Sequence, residues 1–127
     1  SWLARLVEDA GGTYLWEDLP GRGSVPVDGE RVFVQAERAE AWVQCGLWRT
    51  LEEIRRSDPR LARLRPLREK RVFNNDARSR PGGGNDVYES GVWRPDRILG
   101  DLGSVLHPER FPGHRFFYYR RLPEGTR

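Results

Sequence analysis

Apolar residues near the start of the chain recur at helical spacing, and charged side chains occupy the opposite face. The residues that share the apolar face are Leu3, Leu6, Val7 and Ala10. This pattern predicts a helix over residues 1–10. We expect the helix to end at Gly11–Gly12, because glycine readily adopts the left-handed conformation of a helix C-terminus.

The next part of the chain alternates between turn residues and apolar runs. Residues 17–29 are rich in glycine and proline and predict a surface loop. Asp28 is a candidate N-cap for a second helix, from Gly29 to about Glu40. A buried strand, Ala41–Cys45, is expected to follow, with a loop over Gly46–Arg49 at its C-terminal end.

Helix start signals follow this loop. Thr50, with Glu53 three residues later, forms a capping-box pattern and predicts a third helix. Asp58 before Pro59 predicts that the helix restarts for one or two turns, because proline is favoured at the first helical position.

Two strands and one long helix complete the pattern. The short apolar run Arg71–Asn74 predicts a strand, and the aromatic run Arg115–Arg121 predicts another. Between them, Pro95 begins a helix with a clean apolar stripe. The stripe consists of Ile98, Leu99, Leu102, Val105 and Leu106. The alternation of helices and strands predicts an α/β fold, a small parallel or mixed sheet with helices on both faces.

A polar loop, residues 75–86, lies between the strand Arg71–Asn74 and the helix at Pro95. It is rich in glycine and in side chains that form hydrogen bonds. Open α/β folds usually bind ligands where a strand ends and a loop leads to the next helix. We therefore expect this loop and the segment that follows it to carry the functional site.

Composition and charge narrow the choice of function. The chain has 127 residues, 37% hydrophobic and 32% charged, which is typical of one globular domain. It carries 22 basic and 19 acidic residues, and its net charge is +3. Because this surplus is small and both signs are interspersed, the charge gives little support for nucleic-acid binding.

Other features limit the class of protein. No apolar run approaches the ~20 residues needed to cross a bilayer. Ser1 is not a natural start, so we expect residues before it in the natural protein. Cys45 is the single cysteine, which excludes a disulfide within the chain. We expect it to be a buried strand residue rather than a nucleophile.

Motifs for several chemistries are missing from the sequence. The glycine run at 82–84 matches neither a phosphate-binding loop nor a dinucleotide fingerprint, so we expect flexibility or a close backbone approach there. His107 and His114 are seven residues apart on either side of a proline, which is a poor arrangement for a metal site. His107 is more consistent with a helix C-terminal residue favoured by the helix dipole.

Aromatic side chains are more informative. Trp48, Tyr88 and Trp93 lie in predicted loops, with Arg49 and Arg94 beside two of them. Rigid aromatic faces next to guanidinium groups suit a planar or anionic ligand. Packing against the base of a loop is an equally good explanation for each aromatic residue taken alone.

Several short motifs, in order, resemble a known family. They are Gly83-Gly84-Asn85-Asp86-Val87-Tyr88-Glu89-Ser90-Gly91-Val92, Arg94-Pro95-Asp96, Ile98-Leu99, Asp101-Leu102 and His107-Pro108-Glu109. Together they resemble the C-terminal segment of substrate-binding proteins of iron-complex ABC transporters, the group that includes ferric-siderophore, haem and vitamin B12 receptors. Asp9-Ala10-Gly11-Gly12 and the last aromatic run are similar to the same family. A departure is Ala39-Glu40, where the family often has Pro-Asp.

The resemblance implies a fold and a function. Family members have two α/β lobes that hold the ligand between them. This chain, residues 1–127, would be the C-terminal lobe, a single three-layer α/β/α sandwich with a small, mostly parallel, Rossmann-like sheet. It would belong to a receptor that binds a chelated iron complex, most simply a ferric siderophore, and delivers it to a membrane permease.

The resemblance also implies site residues. The ligand-binding candidates are Trp48, Asn85, Asp86, Tyr88, Glu89 and Arg94. Tyr88 and Trp48 would be apolar platforms, and Arg94 would meet a carboxylate or phosphate edge. Glu30 would dock on the permease, although an acidic residue in a first helical turn needs no further role. No catalytic residue, cofactor or protein-bound metal is expected, because the ligand would bring its own metal. We expect a monomer in the periplasm or on the outer face of the membrane.

Two other classes of function remain open at this stage. A basic domain that binds nucleic acid would need arginines clustered on one face, and its affinity would fall steeply with salt. An enzyme would need Asp86 and Glu89 to act as a carboxylate pair. Neither explains the order of motifs along the chain.

Overall fold

The computed structural model describes residues 2–13 and 39–126, which form two compact units. We call residues 2–13 and 75–120 the helix–loop unit, and residues 39–74 and 121–126 the sheet unit. The predicted loop and second helix before residue 39, with Asp28 and Glu30, lie outside the described residues. Ala39 and Glu40, the last residues of that predicted helix, are not helical.

The sheet unit holds the short strands. Strand β1 is Trp42–Val43 and strand β2 is Val72–Asn74, and the two run parallel. Strand β3 is Arg120–Arg121, where the chain passes from one unit to the other, and the sheet order is β1–β2–β3. Helices α2 (Leu51–Ser57) and α3 (Arg65–Arg68) connect β1 to β2. The predicted α/β class is therefore confirmed.

An apolar cluster holds the sheet unit together. Its buried members are Cys45, Leu51, Ile54, Leu64, Leu67, Val72 and Leu122. Strand β2 is buried throughout, as an apolar run in a covered strand should be. Strand β1 is shorter and less buried than predicted, and Cys45 lies beyond its end, although the thiol is buried as expected.

Helix starts in the sheet unit follow their capping residues. The Thr50 hydroxyl accepts a hydrogen bond from the Glu53 backbone N–H, as the capping-box pattern predicts. The Glu53 carboxylate accepts from the Arg49 N–H at 2.8 Å, one residue before the usual position. After Asp58 the predicted helix is a 3₁₀ segment, Pro59–Arg63, and α-helical geometry returns only in α3.

The helix–loop unit contains the two longest described helices, α1 (Trp2–Asp9) and α4 (Pro95–Leu106). Gly11, with φ of +88°, ends α1 as predicted. The Gly12 N–H donates to the Val7 carbonyl and the Gly11 N–H donates to the Glu8 carbonyl, which is a Schellman motif. The two helices pack together, with Leu106 close to Gly12.

Two 3₁₀ segments, Asp86–Tyr88 and Ser90–Trp93, precede α4, and a third, Pro108–Arg110, follows it. The apolar stripe of α4 is confirmed at Ile98, Leu102 and Val105, which are buried. The same face also buries Asp101, whose side chain is 1% exposed. The prediction of an apolar stripe did not anticipate this carboxylate.

Asp101 explains why the predicted strand over Arg115–Arg121 is wrong except at its last two residues. Its carboxylate accepts hydrogen bonds from the backbone N–H groups of Phe117, Tyr118 and Tyr119, at 2.8–3.2 Å. In a sheet ladder these donors would pair with the strands on either side, because successive N–H groups of a strand point to opposite edges. Because a side chain takes them instead, this stretch is irregular although its tyrosines are buried.

Candidate functional site

The glycine-rich loop is an ordered hairpin. An isolated antiparallel bridge joins Ser79 to Asn85. At its tip, the Gly83 N–H donates to the Arg80 carbonyl at 2.9 Å, and Gly82 has φ of +68°, as in a type II turn. A Cβ added at Gly83 would meet Arg80 at 3.1 Å, so the close backbone approach predicted for this run is to the chain itself.

Asn75 organises the base of this hairpin. It is 7% exposed and follows directly after strand β2. Its side-chain amide donates to the Tyr88 hydroxyl at 3.2 Å, and its backbone carbonyl accepts from the Asn85 side chain at 2.9 Å. The Asn85 side-chain oxygen in turn accepts from the Val87 N–H and caps the first 3₁₀ segment. The segment after the hairpin is thus tied to its base.

Asp86 is fixed by a second set of hydrogen bonds. Its carboxylate accepts from the Ser90 hydroxyl at 2.8 Å and from the Arg78 Nε at 3.0 Å. The Ser90 hydroxyl also lies 2.6 Å from the hydroxyl of buried Tyr118. The hydrogen bond from Ser90, followed by that from Arg78, lowers the pKa of the Asp86 carboxyl below its usual value.

Large apolar side chains around this turn are exposed. Tyr88 is 62% exposed, Val92 63% and Trp93 83%. We call these three residues the exposed aromatic turn. The Tyr88 ring faces solvent although its hydroxyl is bound to Asn75, so the platform predicted from the sequence is accessible and held in place. Trp93 and Val92 were not among the ligand-binding candidates.

Charged residues flank the exposed aromatic turn. Arg94 is exposed and makes two hydrogen bonds to the Asp96 carboxylate, at 2.9 and 3.0 Å. This pairing raises the pKa of Arg94 and lowers that of Asp96. Glu89 is exposed and has no ion pair within the described ranges.

Five of the six ligand-binding candidates therefore belong to one segment of the helix–loop unit. The sixth, Trp48, belongs to the sheet unit, where it is half-buried and packs against the apolar cluster. Its ring contacts Trp42 edge-to-face, with centroids 5.9 Å apart. Its predicted role as a platform stays a prediction.

The two histidines make separate contacts. His107 caps α4, and its Nε2 lies 3.0 Å from the Gly11 carbonyl oxygen. His114 Nε2 lies 2.8 Å from an Asp101 carboxylate oxygen. Across residues 2–13 and 39–126, no three histidine, cysteine or acidic side chains group so that they could hold a metal ion.

Comparison with known proteins gives one informative relative. The chain is 26% identical over 108 residues to an uncharacterized lipoprotein of Methanocaldococcus jannaschii. The alignment covers 85% of this chain and 24% of the lipoprotein, so the chain spans about a quarter of the length of the curated relative it matches. No family model and no solved structure matches the chain. Within the described part of the chain, no helix is long and apolar enough to cross a membrane.

Proposed function

We propose that this chain is the C-terminal lobe of a substrate-binding protein that delivers a chelated iron complex to an ABC importer. The observation that carries the proposal is the exposed aromatic turn, Tyr88, Val92 and Trp93. It lies within the run of motifs that resembles the iron-complex receptors. Exposed apolar patches on folded proteins commonly mark binding surfaces.

The way the turn is held supports a binding role. A platform loses little conformational entropy on binding when its side chains are already fixed. The Tyr88 hydroxyl is bound to Asn75, and Asn85 caps the segment that carries Tyr88. We assign Asn85 and Asp86 to holding this turn, because their polar groups are engaged within the loop.

The charged neighbours suit the edge of a ferric siderophore, haem or cobalamin. Arg94 can exchange its exposed partner Asp96 for a carboxylate or phosphate of the ligand, since exposed ion pairs contribute little stability. Glu89 adds an acceptor for ligand hydroxyl or amide groups. Trp48 would contribute a second aromatic surface in the complete receptor.

The remaining features of the proposal concern the whole receptor. The lobe would be a three-layer α/β/α sandwich with a Rossmann-like sheet, and a second lobe would complete the cleft. Glu30 would dock on the permease. The name of the relative, a lipoprotein, favours a lipid-anchored receptor on the outer face of the membrane. The receptor would be a monomer, and it could instead be free in the periplasm.

Equilibrium dialysis of the complete gene product against a ferric hydroxamate siderophore, haem and cobalamin tests the proposal. We expect saturable binding of one of them. Tyr88→Ala should weaken it about tenfold or more, because buried aromatic anchors dominate binding surfaces. Arg94→Ala should weaken it less. Leu47→Ala is the control, because Leu47 is a 97% exposed apolar residue that is not among the ligand-binding candidates.

Retained binding in the Leu47 variant and lost binding in the Tyr88 variant would support the receptor lobe. Absence of binding to all three chelates by a folded protein would remove iron-complex uptake as the function. Unchanged binding in the Tyr88 variant would show that the exposed aromatic turn does not contact the ligand.

A further inference from the structure

Two guanidinium groups lie over one aromatic ring in the helix–loop unit. The Arg78 Cζ is 4.3 Å and the Arg97 Cζ 4.0 Å from the centroid of the Phe117 ring. Because both distances are measured to the same ring centroid, the two guanidinium carbons cannot be farther apart than these two distances added together. A guanidinium group that stacks through its face keeps its N–H donors at the edge, available for a ligand.

Of the two charges of this pair, that of Arg78 is balanced by a carboxylate and that of Arg97 is not. Arg78 uses its Nε to bind Asp86, and no described residue occupies its terminal nitrogens. Arg97 forms no ion pair or hydrogen bond through its guanidinium with any residue in 2–13 or 39–126. The two guanidinium groups therefore share one carboxylate partner, which is bound to Arg78 and also to Ser90.

Two other arginines of the same unit differ from Arg97 because each is paired with a carboxylate. Arg94 is bound by both oxygens of Asp96, and Arg120 by both oxygens of Asp76. Arg97 lies in the first turn of α4, where the helix dipole disfavours a cation. A positive side chain in that position, held on an aromatic ring without a carboxylate, is better explained by a ligand than by stability.

The surroundings fix the Phe117 ring and Arg78 before any ligand arrives. The Phe117 N–H is bound to buried Asp101, and its ring contacts the Tyr118 ring edge-to-face at 4.7 Å. Arg78 is tied through Asp86 and Ser90 to the Tyr118 hydroxyl. The ring and one guanidinium group therefore share a buried anchor, and the donors of the pair need little ordering on binding.

We propose that Arg78 and Arg97, stacked on Phe117, form a binding site for a compact multivalent oxyanion. The ligand carries phosphate or several carboxylate groups, because these offer oxygens to two guanidinium groups at once. Arg97 supplies the unbalanced charge, Arg78 a second set of donors, and Phe117 the platform that orients them. This site stands whether or not the chain belongs to an iron-complex receptor, since it depends only on contacts within the helix–loop unit.

Isothermal titration calorimetry with inorganic pyrophosphate and with citrate, at constant ionic strength, tests the site. Acetate serves as the monovalent comparison. We expect one saturable site for pyrophosphate or citrate. Arg97→Gln should weaken it about tenfold or more, as expected for loss of charge-assisted hydrogen bonds. Arg97→Lys, which keeps the charge but loses the planar donors, should weaken it less.

Arg110→Gln is the matched control, because it removes the same charge from an exposed arginine of the same unit that has no aromatic platform within the described residues. It should change the affinity less than twofold. Phe117→Leu should weaken binding while leaving both charges in place. Urea unfolding of each variant verifies that the fold is retained.

Two results would overturn the site. One is the absence of saturable heat with both pyrophosphate and citrate. The other is an equal loss in the Arg97 and Arg110 variants, which would indicate attraction by overall charge. Binding of pyrophosphate alone would identify the ligand class as phosphate, and binding of citrate alone would identify it as carboxylate.

Discussion

The two units of the chain are held together by different chemistry. The sheet unit buries an apolar cluster of aliphatic side chains and Cys45, and its charged groups pair at the rim, as Arg55 does with Glu124. The helix–loop unit buries apolar side chains too, but it also buries Asp101, which binds three successive backbone N–H groups. A buried carboxylate can thus take the place of a neighbouring strand for a stretch of chain.

This difference has a functional counterpart. An apolar cluster stabilises a fold in proportion to the apolar surface that it buries, and this effect does not depend on orientation. Hydrogen bonds, in contrast, fix the orientation of particular groups. The polar anchors of the helix–loop unit, Asn75 and Asp101, hold the exposed aromatic turn and the Phe117 ring. The proposed binding surfaces therefore lie in the unit that buries a carboxylate, whereas the buried polar residue of the sheet unit is the neutral Asn74.

The largest expected effect is at Asp101. Asp101→Ala leaves three N–H donors without an acceptor, and each of those that are buried, on Tyr118 and Tyr119, costs about 1–3 kcal/mol. We expect the free energy of unfolding in urea to fall by about 3 kcal/mol or more. Asp96→Ala is the control, because that carboxylate is exposed, and its removal should cost less than about 1 kcal/mol. Similar behaviour of the two variants would show that Asp101 is not the anchor described above.

The next largest loss of stability is expected in the apolar cluster of the sheet unit. Ile54 is fully buried. Ile54→Ala should lower the free energy of unfolding by about 2–5 kcal/mol and Ile54→Val by about 1 kcal/mol, because the loss follows the apolar volume removed. Asp101→Asn, which keeps the volume, should cost more than Ile54→Val. The opposite order in urea unfolding would mean that both units depend on packing alone.

A smaller effect is expected at the start of α2. Thr50→Ala removes the hydroxyl that accepts from the Glu53 N–H and should cost about 1 kcal/mol. Thr50→Ser keeps the acceptor and should restore most of the loss. Thermal unfolding of both variants measures this difference. A serine variant as unstable as the alanine variant would assign the effect to the lost methyl group instead of the cap.

The smallest effect concerns pH. The folded state lowers the pKa of Asp86 below its ordinary value of 3.8, so the stability it contributes is present above that value and is lost as pH falls through the lowered pKa. Wild type should therefore be more stable than Asp86→Asn in urea at pH 6, and the gap should narrow at pH 3. An unchanged gap would show that hydrogen bonding of ionised Asp86 does not contribute.

Local signals in the sequence predicted the elements that depend on neighbouring residues. The helix that ends at Gly11, the strand ending at Asn74 and the helix from Pro95 follow from apolar spacing, glycine and proline. The strand predicted over Arg115–Arg121 was wrong because Asp101, more than ten residues earlier, takes its N–H groups. Nothing in the aromatic pattern of that run indicates such an acceptor.

The candidate site, too, was predictable only where its residues are close together in the sequence. Tyr88, Glu89 and Arg94 lie together because they are close in sequence. Asn75 as the anchor of the Tyr88 hydroxyl, and Phe117 beneath Arg97, depend on contacts over 13 and 20 residues, which spacing rules do not reach. A polar residue directly after a buried strand was the available signal for Asn75.

Tryptophan fluorescence during titration with a ferric siderophore, haem and cobalamin tests whether the exposed aromatic turn binds such a chelate, because Trp93 is the most exposed member of that turn. We expect one chelate to quench the fluorescence of the complete gene product in a saturable manner. In Trp93→Phe most of this decrease in fluorescence should be lost, while binding is retained. Saturable quenching that is unchanged in Trp93→Phe would place the ligand elsewhere. No quenching by any chelate, with the fold intact, would contradict the receptor assignment.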